Sequence, residues 1–296
     1  MASDFATAPT TTTTYNDTVY AAIISDVVLD ALMAAVVTPS LLDHYDLSGK
    51  PSKAVDIPKA DKFTAAAVAE GVEVANTALT TAKVTLTASE VAIMATITDV
   101  LEVSDIPAAH GARLRQLGRA MADKVDIDVT ALAAGFSQTV GTTNVDLTFA
   151  NILSAIFTLE GANAPKPYVG VLHPVQVANI RTAAAAQTVS VFPSNSGIRG
   201  GTNELGAAGS PGFFGSWFGI DLYFSTNVAT ANAAVDRAGM IFSKNYALGM
   251  VEKWAAKVVP MYWPPIRGWV LVASAMYGVG EIEDLAGVKV VTNAVA

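Results

Sequence analysis

The residues that could do chemistry are few and scattered. Three histidines, His44, His110 and His173, stand alone in the sequence, without the H-x-x-x-H or H-E-x-x-H spacing that puts two imidazoles on one helix face for a metal. There is no cysteine, which removes disulfides, thiolate nucleophiles and cysteine metal sites. His173-Pro174 stands between a strand pattern and a helix pattern, a place that suits a catalytic residue, but no G-x-S-x-G elbow supplies a serine. A hydrolase would have to recruit a distant serine and acid. The glycine-rich stretch Gly197 to Gly219 lacks G-K-[ST] and a capped helix after it, so it reads as a loop and not as a phosphate cradle. Trp254, Tyr262, Trp263 and Trp269 could form a ligand platform, yet their β-branched neighbours favour packing within the core or between subunits. No catalytic, cofactor-binding or metal site is assigned.

Charged residues offer a second kind of chemistry. Lys59, Lys62, Glu70 and Glu73 gather in one weakly patterned segment. Arg113, Arg115 and Arg119, with Lys124, Asp123 and Asp126, lie along one helical stretch, as a contact surface between subunits or as a solvated face. These seven lysines, glutamates and arginines, Lys59 to Arg119, are the candidate assembly residues. The formal net charge of −8 argues against a dedicated nucleic-acid-binding surface but permits a weakly charged wall around nucleic acid.

Composition says where the rest must go. Charged residues make up 15% and apolar residues 52% of the 296, against a usual charged share of roughly 25%. The most apolar run, Ala21 to Val37, is interrupted by Asp26 and Asp30, short of the roughly 20 apolar residues that a bilayer span needs. The excess therefore points to burial against other subunits. The N-terminus has no basic and apolar export signal.

The elements that must hold these residues can be read in order. Residues 1–15, with threonines at 10–14, form an arm too poor in apolar groups to order itself. Asn16 or Asp17 caps a helix running to about Val37, with Val19, Ile23, Val27 and Leu32 near helical spacing and Pro39 closing it. Alternation begins at Val55 and Ile57 and resumes at Val84, Leu86, Val91, Ile93, Ala95 and Ile97, so two long strands bracket a tip at Lys59 to Lys83. Such a hairpin needs a partner to cover it. Ser104 or Asp105 caps a helix with Pro107 in its first turn and a stripe of Leu114, Leu117, Met121 and Val125. Thr148–Leu159 and Pro174–Ala184 read as helices, Tyr168–Leu172 and Ile220–Phe224 as strands, together an α/β unit. Ala247–Val259, Trp269–Val279 and Val288–Val291 are β-rich, with Trp263-Pro264-Pro265 as a turn.

This order, with the run Val84-Thr-Leu-Thr continuing to Ile97-Thr-Asp, the segment Tyr168-Val-Gly-Val-Leu-His-Pro-Val-Gln and the strand Gly219-Ile-Asp-Leu-Tyr-Phe-Ser-Thr-Asn-Val, resembles the major capsid proteins of tailed phages with the Hong Kong 97-like fold. The resemblance implies an α+β chain: an N-terminal arm with helix at 1–50, an extended E-loop hairpin at 51–100, the long spine helix of a P-domain at 101–139, an α/β A-domain at 140–258, and P-domain return strands and a tail at 259–296. It further implies hexamers and pentamers of the chain in an icosahedral head around double-stranded DNA bound without sequence specificity. Portal, scaffolding and decoration proteins would be its partners, no membrane is involved, and the virion, assembled in the host cytoplasm, would be its location. If Met1 is the native start, the short lead before the hairpin implies scaffolding by a separate protein. Lys59, Lys62 and Lys83 fall where some members cross-link, but no cross-link motif is present. An encapsulin-like compartment shell shares the fold and stands as the alternative, with a hydrolase or a tail or surface-array protein behind it.

Overall fold

The computed structural model describes residues 37–60, 65, 67–71, 73–74, 81–104, 107–186 and 213–294, and leaves undescribed the side chains at 60, 81, 102–104, 107–114 and 184–186. The expected arm, the helix from Asn16 or Asp17, Lys62, the side chain of Arg113 and residues 197–212 of the glycine-rich stretch lie outside the described residues.

Two sheets share one long helix. The first has four strands in the order β1 (Asp43–Asp46), β11 (Leu248–Trp263), β12 (Gly268–Glu281), β4 (Ser89–Thr98). The second runs β5 (Thr139–Val140), β13 (Gly287–Asn293), β10 (Asp236–Ser243), β6 (Tyr168–Leu172), β8 (Ile220–Phe224), β7 (Phe213–Trp217), with β9 (Thr230–Ala231) paired to β10. A separate hairpin joins β2 (Ala54–Ala60) to β3 (Thr81–Thr87). The helices are α1 (Asp99–Ser104), α2 (Pro107–Ala131), α3 (Phe149–Gly161) and α4 (Pro174–Ala186).

The apolar stripe expected on α2 is the one that is buried. Leu117, Met121, Val125 and Val129 pack on Leu271, Ala273, Ala275 and Tyr277, alternate residues of β12 that share one face. The same core continues through Ala133 and Phe136 to Val169, Val171, Met240 and Phe242 of the second sheet, so the end of α2 ties the two sheets together. On the second sheet's other face, α3 and α4 bury Ile152, Leu159 and Ile180 against Leu172, Ile220, Leu222 and Ile241. Covered on both sides, β6 is buried along its whole length, which is why it reads as an uninterrupted apolar run.

Three sequence expectations are corrected. The alternation from Val84 to Ile97 is two strands: Ala88 is buried and donates its N–H to the Lys53 carbonyl, and the chain leaves the hairpin there for the four-stranded sheet. Phe213–Trp217, read as part of the glycine-rich loop, is an edge strand pairing with β8 through a two-residue turn in which Phe218 and Gly219 both have positive φ, the type I′ pattern of tight hairpins. The strands after residue 259 do not all return to one layer. β12 does, but β13 pairs antiparallel with β10 in the second sheet, while β11 runs unbroken from residue 248 to 263 in the first. The hairpin strands also reach further toward the tip than expected, to the pair Ala60 and Thr81.

The hairpin stem is held by missing side chains. Gly249 and Gly280 are cross-strand partners in β11 and β12, and Gly278 lies two residues along on the same face. Leu86 and the Thr87 carbonyl press into the slot they leave: a Cβ on Gly278 would collide with that carbonyl, and one on Gly280 with Leu86. Leu86, Ala88, Met276, Val251 and Leu47 then close a small core of their own. A Gly278→Ala substitution is expected to cost about 1–3 kcal/mol by overpacking. The control Gly161→Ala, whose new Cβ meets no atom within 4 Å, should change stability by less than about 0.5 kcal/mol. Urea unfolding of the purified chain checks both.

Candidate assembly surfaces

The face of the four-stranded sheet turned away from α2 is only half covered. Cross-strand partners place Val259, Val272 and Met94 in one row and Met261, Val270 and Thr96 in the next, all on that outer face. The hairpin covers the neighbouring stretch around Val251 and Met276 but stops short of these rows. Met94 is 63% exposed, Val259 52% and Met261 53%. Antiparallel sheets commonly turn one face to water, but with polar residues there; these positions are apolar.

The end of the β11–β12 ribbon extends the patch. Trp263 and Ile266 are exposed at the turn, and Tyr262 packs edge-on against Trp269 at 5.6 Å between ring centroids. The Tyr262 hydroxyl donates to Asp99 Oδ2 at 2.8 Å, fixing the ribbon to the start of α1. Of the four aromatic residues singled out by sequence, only Trp254 sits in a core, beneath the hairpin stem; Tyr262 and Trp263 are surface residues. Parity along β11 could have shown this, because Met261 and Trp263 alternate outward with Val259.

The expected charged residues do not converge on one site. Lys59, on β2, pairs with Glu283 at 2.8 Å and ties the hairpin to the loop after β12. Asp56 accepts from Lys83 Nζ at 2.7 Å and Thr85 Oγ1 at 2.6 Å, and these donors hold its carboxyl below the usual range. Glu70 and Glu73 are exposed toward the tip with Val68 and Val74. Arg115 and Arg119 are exposed on α2, where Lys124 pairs with Asp128 at 2.6 Å and Asp123 accepts from Asn227 Nδ2 at 3.0 Å.

Asp126 is not on that charged face. It is 3% exposed, and its Oδ1 accepts from the Thr38 hydroxyl at 2.7 Å, the Thr38 N–H at 3.1 Å and the Val37 N–H at 3.4 Å. The chain's first described residues are thereby fastened to the middle of the long helix. Burial pushes the carboxyl above its ordinary value, against the pull of the Thr38 hydrogen bonds.

His173 has a structural task. Its Nδ1 accepts from the Val175 N–H at 3.3 Å and its own N–H donates to Gln176 Oε1 at 3.0 Å, while Gln176 reaches the Arg237 carbonyl and Thr292 Oγ1. Burial, aided by Arg237, lowers the imidazole's affinity for a proton. Among the described residues no hydroxyl or carboxylate hydrogen-bonds the ring, and no group of three or more His, Asp or Glu side chains is placed to hold a metal. No helix among the described residues is long and apolar enough to cross a membrane.

No family model and no curated protein sequence matches the chain. Solved structures do. The capsid of the cyanophage P-SCSP1u is 16% identical, with 88% of this chain and 89% of that chain covered at a TM-score of 0.59. A structure from Mycobacterium phage Che8 is 18% identical, covering 80% and 84% at 0.62. A virus-like particle from Pyrococcus furiosus is 12% identical, covering 92% and 99% at 0.60. The chain has the Hong Kong 97-like α+β fold.

Asp126 gives a pH-dependent outcome. Because its folded-state pKa is raised above 3.8, the native state binds the proton more tightly than the unfolded chain, and the cost of burying the charge fades as pH falls through the raised value. Wild type should therefore gain stability relative to Asp126→Asn as pH is lowered from 7 toward 4, followed by urea midpoints. Asp126→Ala, which strands the buried Thr38 donors, should lose about 1–3 kcal/mol at any pH in that range.

Proposed function

We propose that this chain is the major capsid protein of a tailed phage, building an icosahedral head from hexamers and pentamers of itself around double-stranded DNA. The observation that carries the reading is the uncovered apolar face of Met94, Val259, Val272 and Met261, continued by Trp263 and Ile266. A chain with 15% charged residues has no polar coat for that face, and stable association between identical subunits removes it from water. The hairpin, reaching beyond its own stem core with exposed Val68 and Val74, is a second surface in search of a neighbour.

A structural and not a catalytic role follows from the same features, with His173 committed to the turn between β6 and α4. The formal charge of −8 suits a container whose DNA contacts are weak and sequence-independent. Portal, scaffolding and decoration proteins are the partners such a head requires, and the virion, assembled in the host cytoplasm, is the location. Lys59, Lys62, Glu70, Glu73, Arg113, Arg115 and Arg119 stand as rim contacts that tune the fit and contribute little energy each. A compartment shell is the second reading, favoured by the near-complete coverage of the Pyrococcus furiosus particle chain. Nucleic acid inside particles from their native source distinguishes head from compartment.

Met261→Asp and Met94→Asp place a charge on the uncovered face without touching the α2 core. Each is expected to keep the wild-type circular dichroism and to shift the protein from large assemblies to slowly sedimenting species in sedimentation velocity. Assemblies indistinguishable from wild type in both variants would refute this use of the face.

A further inference from the structure

The inner face of the four-stranded sheet is also under-covered, on the side of β11. Four strands at about 4.8 Å spacing span about 19 Å, and a single helix with its side chains covers about 10–12 Å. α2 lies over β12 and β4, packing on Leu271, Ala273, Ile93 and Ala95. Along its other flank, between α2 and β11, remains a cavity of about 210 Å³ lined by Pro39, Met121, Val125, Met250, Ala256 and Ala275. At ~30 Å³ per water in the liquid it would hold about seven waters against walls that offer them few partners.

The chain enters at the edge of this cavity. Pro39 is part of its wall, and Val37 and Thr38 are pinned to Asp126 one turn from Val125. The 36 residues before Val37 thus begin beside an apolar strip that nothing among the described residues covers. Their sequence carries a matching face. Ile24, Val28, Ala31, Leu32 and Ala35 follow the spacing i, i+4, i+7, i+8, i+11, and Asp26 and Asp30 fall on the opposite side at 100° per residue. Val19 and Ile23 share the side of the two aspartates, so the register that matters is offset from the Val19, Ile23, Val27 stripe. As a helix, residues 19–36 would run about 27 Å.

We propose that residues 17–36 of the same chain pack beside α2 over β11, with Ile24, Val28 and Leu32 filling the cavity and Asp26 and Asp30 facing water. The proposal goes beyond the shell reading and holds for a single subunit. It makes the Asp126–Thr38 contact the hinge at which this segment joins the body.

The test uses the full chain. A photo-reactive benzophenone amino acid replaces Ala255, an exposed residue at the cavity's mouth, and heavy-isotope and unlabelled protein are mixed before irradiation. Mass spectrometry is expected to find cross-links into residues 17–36 within one isotopic species. Cross-links to other segments, or heavy-to-light pairs showing that a neighbouring copy supplies the segment, would overturn the proposal. In parallel, Val28→Asp should raise peroxide oxidation of Met121 and Met250 severalfold while Val19→Asp leaves it at the wild-type rate. Equal oxidation in the two variants would contradict the assigned register.

Discussion

Apolar area on both faces of the β1–β11–β12–β4 sheet has to leave water, and the described chain covers only part of each face. Helix α2 shields the inner side of β12 and β4, and the hairpin stem shields the outer side near Gly249, Gly278 and Gly280. Met94, Val259 and Met261 stay exposed on the outside, and the β11 flank stays open within. Burial is worth about 25 cal/mol per Å² of apolar surface, so a second copy, or more of the same chain, has a ready source of binding free energy. Much of the molecule's stability then belongs to whatever covers these faces.

The glycine slot explains how one hairpin both belongs to this subunit and reaches past it. Thr87 and Leu86 sit too close to the sheet for any side chain at Gly278 or Gly280, and the Lys59–Glu283 pair adds a second attachment. A surface ion pair of this kind contributes about 0.2–1 kcal/mol, so the slot sets the direction of the hairpin and the pair only trims it. Beyond that attachment the strands have each other and no core. Asp126 plays a comparable part at the other end, since three donors from Val37 and Thr38 converge on one buried oxygen.

Much of this was legible in the sequence where periodicity and burial coincide. Leu117, Met121 and Val125 announced the face of α2, and the full apolar run of β6 announced a strand covered on both sides. What stayed hidden depends on pairing across long separations. The break at Ala88 follows from β3 and β4 choosing partners in different sheets, and the return of β13 to β10 carries no local signal. Gly278 and Gly280 look like ordinary strand glycines until Leu86 and Thr87 are set on top of them. Asp126 passed for a surface charge because it sits among Asp123, Lys124 and Asp128, although its position one residue after Val125 puts it beside the buried stripe. Of the assembly surface, the charged residues were named and the apolar rows were not, since the rows exist only once β4, β12 and β11 are in register.

Electron microscopy of the purified full-length chain, expressed alone and together with the genes that neighbour it, tests the central claim most directly. The account predicts closed icosahedral shells, or five- and six-membered rings, in which the outer sheet face is covered by an adjoining copy. A stable, soluble monomer under both conditions would contradict it.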